Sequence, residues 1–329
     1  MQKKIAVVTG GSGFIGSHLV DHLLSQGYSV KCIIRKSSNT RWLKGKDLEL
    51  IDCGLFDKEK LKVVLKDADY LFHIAGVVKS KDEKEYFDGN VETTRTLLNV
   101  LVEVNPGIKR IVISSSLTAS GPSLDGKPST EETPEHPITT YGRSKLEQER
   151  VALSYKDKLP ISIVRLHAVY GERDTEIYQF FKTYKMGLMA LIGFNDKHLN
   201  LVHVDDAVSG IYLASTSEKA IGQIYFIASE EIYDWPLVGE IIGKAFGKKA
   251  FTLRIPHFIV YTVAAVAQFF AKFSSQAATF NIEKARDFVQ KEWTCDVSKA
   301  KRDLGFRQNV ALDKGIERAI AWYREMKWL

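Results

Sequence analysis

Tyr141 and Lys145 carry the clearest chemical signal in the sequence. In Tyr141-Gly142-Arg143-Ser144-Lys145 they stand at i and i+4, which share one face of a helix, so the lysine ammonium can approach the phenol. A nearby positive charge favours phenolate and lowers a pKa that starts at about 10, which makes tyrosine an acid or base usable at neutral pH. Upstream, Ser114-Ser115-Ser116 closes a strand-like run and can set a hydroxyl beside the same carbonyl. A Tyr/Lys pair at this spacing is common on solvated helices, and it acquires meaning only from the elements that position it.

The first of those elements is Ile5-Ala6-Val7-Val8-Thr9-Gly10-Gly11-Ser12-Gly13-Phe14-Ile15-Gly16, which reads as strand, phosphate loop and the start of a helix over 14–26. Gly11, Gly13 and Gly16 satisfy GxGxxG, and Gly10, Gly13 and Gly16 satisfy GxxGxxG. Such glycines serve a tight turn, a backbone close enough to touch a pyrophosphate, and close contact of helix and sheet. The unpaired N–H groups and positive dipole end of the helix then favour a phosphate, so the loop predicts dinucleotide binding. Arg35 ends the second strand-like run, where NAD enzymes of this type place Asp or Glu against the ribose 2′-hydroxyl. With Lys36 and Ser37 beside it, the reversed charge suits the 2′-phosphate of NADP, because a guanidinium pairs two phosphate oxygens at once. The alternative is a solvated arginine at a strand end.

At 329 residues the chain can form two lobes, and with 45% hydrophobic and 26% charged residues it is an ordinary globular protein. The net charge of +6 is spread without a basic run or an aromatic-interleaved patch, which argues against nucleic acid as a partner. Cys32, Cys53 and Cys295 have no CxxC or His-paired spacing, so neither a metal site nor a disulfide framework is expected. The N-terminus runs straight into a strand and glycine loop without a signal-peptide pattern, and the chain is expected in the cytoplasm.

Over 1–170, apolar runs at 5–9, 30–34, 48–51, 70–74, 110–114 and 161–166 alternate with helical patterns. That rhythm predicts an α/β fold, a Rossmann-type doubly wound parallel sheet with right-handed crossovers and a ligand along the carboxyl ends of its strands. Residues 200–216 are expected to return to this domain, and 171–329 to form mainly a smaller substrate lobe across a broad interface. Within that lobe, 187–200 and 235–254 read as mixed and turn-rich. Pro256 starts a helix that is almost wholly apolar through 257–273 until Lys272, with Gln268 interrupting. It falls short of the roughly 20 residues needed to cross a bilayer. Three readings stay open for it: a core helix of the second lobe, a wall of an apolar substrate cavity, or a face resting on a membrane surface. Met186, Leu188, Met189, Leu191, Ile192 and Phe194 are expected as the other wall.

Taken together, the sequence resembles an extended short-chain dehydrogenase/reductase of the NAD-dependent epimerase/dehydratase type. The resemblance rests on TGGSGFIG at 9–16, HIAG at 73–76, Asn90-Val91, SSS at 114–116, YGRSK at 141–145, RLHAVYG at 165–171, HVDD at 203–206 and the C-terminal 296–306. It implies Tyr141 as proton donor or acceptor, Lys145 as the group that tunes it and holds the nicotinamide ribose, and Ser116 as the group that polarises the substrate carbonyl. It implies a cofactor site of Thr9, Gly10, Gly13, Phe14, Ile15, Gly16 and Arg35, with Ala75 and Gly76 along the adenosine and pyrophosphate path. The backbone around Leu166 and Val169 would meet the carboxamide. No metal follows from His203, Asp205 and Asp206, whose motif is structural in the family, and His18 and His167 are assigned to packing.

Where the sequence departs from the family it narrows the activity. Dehydratases carry Thr-Asp-Glu where this chain has Ser116-Leu117-Thr118, and nucleotide-sugar enzymes commonly carry Asn at the place of Ala168 and Arg at the place of Leu199. Gly54 replaces an acid that often contacts adenine, leaving Asp52 or Asp57 as substitutes. The nearest branches are the dihydroflavonol reductases and 3β-hydroxysteroid dehydrogenases. The expected function is hydride transfer between NADP(H), rather than NAD, and a hydrophobic alcohol or ketone. A nucleotide-sugar epimerase is the second reading, and a dinucleotide sensor without catalysis the third. A homodimer and peripheral membrane contact are compatible with all three.

Overall fold

The computed structural model describes residues 3–271, 273 and 280–329. The run Ile5–Thr9 (β1) is buried from Ala6 onward on both faces, which explains why it is continuously apolar rather than alternating. Ser29–Ile34 (β2), Leu48–Asp52 (β3), Tyr70–His73 (β4), Arg110–Ser116 (β5) and Ile161–Leu166 (β6) follow, each within two residues of its expected bounds. Between them run Phe14–Ser25 (α1), Lys58–Leu65 (α2), Glu83–Phe87 (α3), a π-helical turn at Asp88–Glu92, Thr93–Val104 (α4) and Thr140–Leu153 (α5).

The chain then adds Val169–Tyr170 (β7), Tyr178–Lys185 (α6), Leu188–Ile192 (β8), His198–Leu199 (β9), Val202–His203 (β10), Val204–Thr216 (α7) and Ile224–Ile227 (β11). It continues through Tyr233–Asp234 (β12), Trp235–Phe246 (α8), Phe251–Ile255 (β13), His257–Ala271 (α9), Ile282–Val289 (α10), Glu292–Trp293 (β14), Ser298–Leu304 (α11) and Leu312–Glu325 (α12).

Seven strands form one parallel sheet in the order β11-β6-β5-β4-β1-β2-β3, with apolar layers on both faces. Winding reverses at the β1/β4 boundary, so the crevice past the carboxyl ends of these strands is the natural ligand site. The glycine loop leaves β1 there, and β5 delivers Ser114–Ser116 beside it.

Four expectations for the second half are corrected. The seventh strand of the main sheet, β11, comes from beyond residue 216, and Cys295, Val297, Ala300, Leu304 and Phe306 also join the core under the sheet. The segment 235–254 is not turn-rich: α8 fills its first half, with Asp234 accepting from the Leu237 N–H, Pro236 in the first turn and Gly247 ending the helix at φ +70°. Within 187–200, β8 pairs with β13 as a two-stranded parallel ribbon. Strand alternation points Met189 and Leu191 into the lobe's core while Met186 and Phe194 stay exposed, so the six residues from 186 to 194 do not form one wall.

The core-helix reading of 257–273 also fails over its described part. Only Val260 and Ala264 of α9 are buried, against Ile192, Ile255 and Ala285, whereas Phe258 is 69% and Phe270 65% exposed. The lobe fills its own core from α6, α8, α12 and β8, which leaves α9 on the rim. Lys272 lies outside the described residues. No helix among the described residues is long and apolar enough to cross a membrane.

Candidate active site

The loop after β1 is shaped by close backbone approach. Gly10 adopts φ +73°, and a Cβ there would stand 2.6 Å from the Ala75 nitrogen; a Cβ on Gly16 would stand 2.1 Å from the Gly10 carbonyl oxygen. No side chain caps α1, whose Ncap is the exposed Gly13, so the N–H groups of Phe14, Ile15 and Gly16 are left as a seat for an anion. Arg35, the first residue past β2, is exposed, and its guanidinium has no ion-pair partner among the described residues. An acidic substitute for Gly54 is not at hand in Asp57, whose carboxylate caps α2 by accepting from the Lys60 N–H. Asp52 ends β3 and is exposed.

A buried chain of hydrogen bonds fixes the loop to the helix that carries Tyr141. The Ala75 N–H donates to Thr9 Oγ1, which lies 2.7 Å from His73 Nδ1. On the ring's other side Nε2 lies 2.9 Å from Thr94 Oγ1, whose own hydrogen goes to the Asn90 carbonyl. Nε2 must therefore carry the ring hydrogen and Nδ1 accept from Thr9. Burial, helped by the Lys145 charge, pushes the His73 pKa down to about 3, which keeps that tautomer neutral. Asn90 also receives the Val77 N–H on its side-chain oxygen and donates to Ser144 Oγ on α5.

At the start of α5, Thr139 Oγ1 accepts from the Gly142 N–H, and the Glu283 carboxylate accepts from both the N–H (2.7 Å) and the hydroxyl (3.0 Å) of Thr140. Gly142 has no room for a side chain, since a Cβ would stand 2.4 Å from the Thr118 carbonyl oxygen. Tyr141 and Ser116 are thereby brought within hydrogen-bonding reach of each other. Ser116 Oγ accepts from the Thr118 N–H (3.2 Å) and the Thr118 hydroxyl (2.9 Å), so its own hydrogen is the free donor.

The expected direction of the Tyr141 shift is corrected. Burial pushes the phenol up to about 12, with the charge of Asp287 and the Tyr86 phenol adding and the Ser116 hydroxyl opposing. Lys145 points its Nζ at the Ser114 carbonyl oxygen, 2.6 Å away, and burial pulls its own pKa down to about 8. Desolvation of the phenolate dominates, and at neutral pH Tyr141 is a protonated donor. Behind Lys145, Glu149 takes a bidentate pair from Arg165 (2.9 and 2.7 Å) and the Ser115 hydroxyl, with Arg165 fully buried and Glu149 1% exposed.

Leu166 closes β6 and Val169 opens β7 on either side of Ala168, which holds φ +35°. Asparagine tolerates that region and alanine resists it, so the chain keeps the backbone shape there without an amide. Leu199 is buried in the lobe's core and offers no cation. The His167 ring stacks on Trp293, and burial lowers its pKa to about 4. His18 bonds the Glu172 carbonyl at 2.9 Å, while Glu172 and Asp205 both hold Arg318, which ties α7 to α12.

Sequence reasoning missed Asp287. It lies one turn after Glu283 on α10, close enough for its charge to act on the Tyr141 and Tyr86 phenols, with Oδ1 buried and unpartnered. No motif marks it, because it reaches the site only through the docking of α10 on Thr140. Burial, with Glu283 adding, pushes its pKa up to about 7 from 3.8. Between those values the folded chain holds a proton that the unfolded chain has lost, so stability falls as pH rises through that window. Asp287→Asn should raise the melting temperature at pH 8 and change it little at pH 4; equal effects at both pH values would contradict this placement.

The sequence is 22% identical to a ceramide reductase of Caulobacter vibrioides (99% of this chain, 96% of the relative) and 25% identical to the decarboxylating sterol-4-alpha-carboxylate 3-dehydrogenase of Mus musculus (98% and 92%). The fold superposes on a UDP-glucuronic acid 4-epimerase from Bacillus cereus in complex with NAD at a TM-score of 0.79 and 22% identity, over 98% of this chain and 99% of that one. The epimerase family model matches residues 6–228, a span that starts in β1, takes in the glycine loop, Ser116, Tyr141 and Lys145, and ends just past the last strand of the sheet. The chain therefore belongs to the NAD dependent epimerase/dehydratase family, whose fold is that of the extended short-chain dehydrogenases/reductases.

Proposed function

We propose that this protein is an NADP(H)-dependent oxidoreductase that interconverts a hydrophobic ketone and its alcohol, with 1–170, 200–216 and β11 serving the cofactor and the rest of 171–329 mainly the substrate. The Gly10–Gly16 loop would hold a nicotinamide cofactor, which when bound would supply or receive the hydride. The substrate oxygen takes two hydrogen bonds, one from Ser116 Oγ and one from the Tyr141 phenol. As a C–H bond forms at the carbonyl carbon and the C=O π bond breaks, the Tyr141 proton passes to the oxygen, leaving a phenolate that Ser116 and the Lys145 ammonium stabilise. Ala75 and Gly76 would line the approach to the pyrophosphate, and the backbone between Leu166 and Val169 would receive the carboxamide.

The observation that carries the choice of substrate is Asp287, a carboxyl beside Tyr141 with an unpartnered oxygen. Its ionised form, which dominates above about pH 7, repels a diphosphate or uronate, and in either form the unpartnered oxygen accepts a hydrogen bond from a hydroxyl or amide N–H near the carbonyl. Leu199 in the lobe's core and Ala168 without an amide support the same reading over a nucleotide-sugar epimerase. Calorimetry with cofactor present tests it: an apolar ring-bearing ketone should bind, and tight binding of a UDP- or dTDP-sugar with no apolar ketone bound would replace this function with epimerisation.

The NADP preference rests on Arg35. A charge-assisted bidentate pair contributes roughly 1.5–3 kcal/mol, or about ten- to a hundredfold in affinity. Titration of both cofactors into wild type and Arg35→Ala should show that loss for NADP(H) and little change for NAD(H). Equal affinities in wild type would refute it.

A further inference from the structure

We propose that α9 and the outer face of the β8/β13 ribbon form a docking surface that lies in the headgroup layer of an anionic bilayer beside the substrate entrance. The inference rests on the hydrophobic-substrate reading above and deepens it by naming where that substrate is met.

The ribbon's register sets Phe251 beside Leu188, Leu253 beside Ala190 and Ile255 beside Ile192, and cross-strand partners in a parallel pair share a face. All six are apolar. Their face is turned away from the lobe's core, which takes Met189 and Leu191 instead; Ile192 and Ile255 at one end pack under α9, whereas Phe251 at the other is 71% exposed. One residue later Pro256 leads into α9, which has no Asp, Glu, Lys or Arg from 257 to 271. Its large exposed side chains include Phe258, Ile259, Val263, Val266, Phe269 and Phe270. A solvated helix normally carries charge on its open face, and an apolar surface this continuous marks an interaction site.

Lipid fits that surface better than a second copy of the chain. Apart from the stripe at Val260 and Ala264, α9 is apolar around most of its circumference, an arc wider than one packed partner covers but one that acyl chains surround. At about 1.5 Å per residue its 15 residues span about 22 Å, too short to cross a hydrocarbon core of roughly 30 Å, so it lies in the interface plane. The end of the ribbon at Phe251 is flanked by exposed Lys182, Lys185, Lys248 and Lys249, none of which has an acidic ion-pair partner among the described residues. Such cations match anionic headgroups. The site is adjacent: α9 packs on Ala285 of α10, the helix whose Glu283 holds Thr140 and whose Asp287 stands near Tyr141.

Flotation of the full chain with vesicles tests the proposal. Wild type should float with phosphatidylcholine vesicles containing phosphatidylglycerol and much less with phosphatidylcholine alone, and added salt should weaken the difference. The variant Phe258→Ser/Phe269→Ser/Phe270→Ser should lose at least about a hundredfold in partitioning, and Lys248→Glu/Lys249→Glu should abolish the preference for anionic vesicles. Circular dichroism and melting keep the fold under control, since all five positions are exposed. Wild type that stays at the bottom with both vesicles overturns the proposal, as does a triple-Phe variant that floats like wild type. So does light scattering that finds a dimer dissolved by those substitutions without flotation. Turnover of a water-soluble cyclic ketone with NADPH is the separate readout: flotation without turnover removes the hydrophobic-ketone reading and leaves the docking surface, whereas turnover kept at wild-type level in a non-floating triple variant supports both.

Discussion

Replacing Tyr141 with Phe should lower kcat by roughly 10²–10⁴-fold, the contribution of a positioned acid–base group, with affinity for NADP(H) nearly unchanged. The substitution removes one oxygen from a half-buried side chain and leaves the Thr139 cap, the Glu283 clamp on Thr140 and the Lys145 contact with Ser114 in place. Because the phenol sits at about 12, wild type should hold its proton for ketone reduction throughout the neutral range. The oxidation direction requires phenolate, so it should gain with rising pH. A mutant that keeps more than about a tenth of wild-type kcat would remove Tyr141 from the mechanism.

Glu149→Ala should destabilise the fold by about 3–5 kcal/mol, because it strands the guanidinium of Arg165 without its bidentate partner inside the protein. Glu135 already accepts from Arg165 Nη2 at 3.4 Å, but as a single long bond from a partly exposed carboxylate it replaces only part of the bidentate pair. The pair links β6 to α5, and Ser115 on β5 joins it, so the loss should also loosen the turn that carries Lys145. Arg165→Met together with Glu149→Leu should recover most of the stability, since well-packed apolar residues of similar volume replace such pairs at little cost. Chemical denaturation of the three variants decides this. A single-mutant loss below about 1 kcal/mol would mean that the pair is hydrated rather than buried.

The sheet was legible because its inner strands are buried on both faces and so appear as unbroken apolar runs separated by helical periods, whereas the edge strand β3, with no fully buried residue, shows only as the interrupted run of Leu48, Leu50 and Ile51. Tyr141, Ser116 and the glycine loop were legible because their chemistry depends on local spacing. What escaped detection depends on contacts distant in sequence. β11 is only four residues long and follows a 3₁₀ turn rather than a long crossover pattern. The Asp234, Pro236 and Gly247 signals of α8 were present, but they were masked by the mixed composition around them. The raised Tyr141 pKa reflects burial in the folded chain and the charge of Asp287 on α10, neither of which an i,i+4 argument contains. Exposure of α9 was the hardest to foresee, because an apolar run of its length normally signals burial.

The account is tested most directly by following NADPH absorbance after mixing enzyme with a hydrophobic ring-bearing ketone, alongside UDP-glucose and the Tyr141→Phe variant. It predicts ketone-dependent NADPH oxidation by wild type, none with the sugar nucleotide, and a loss of roughly 10²-fold or more in the variant. Conversion of a UDP-sugar to its epimer with no ketone reduced by wild type would contradict it.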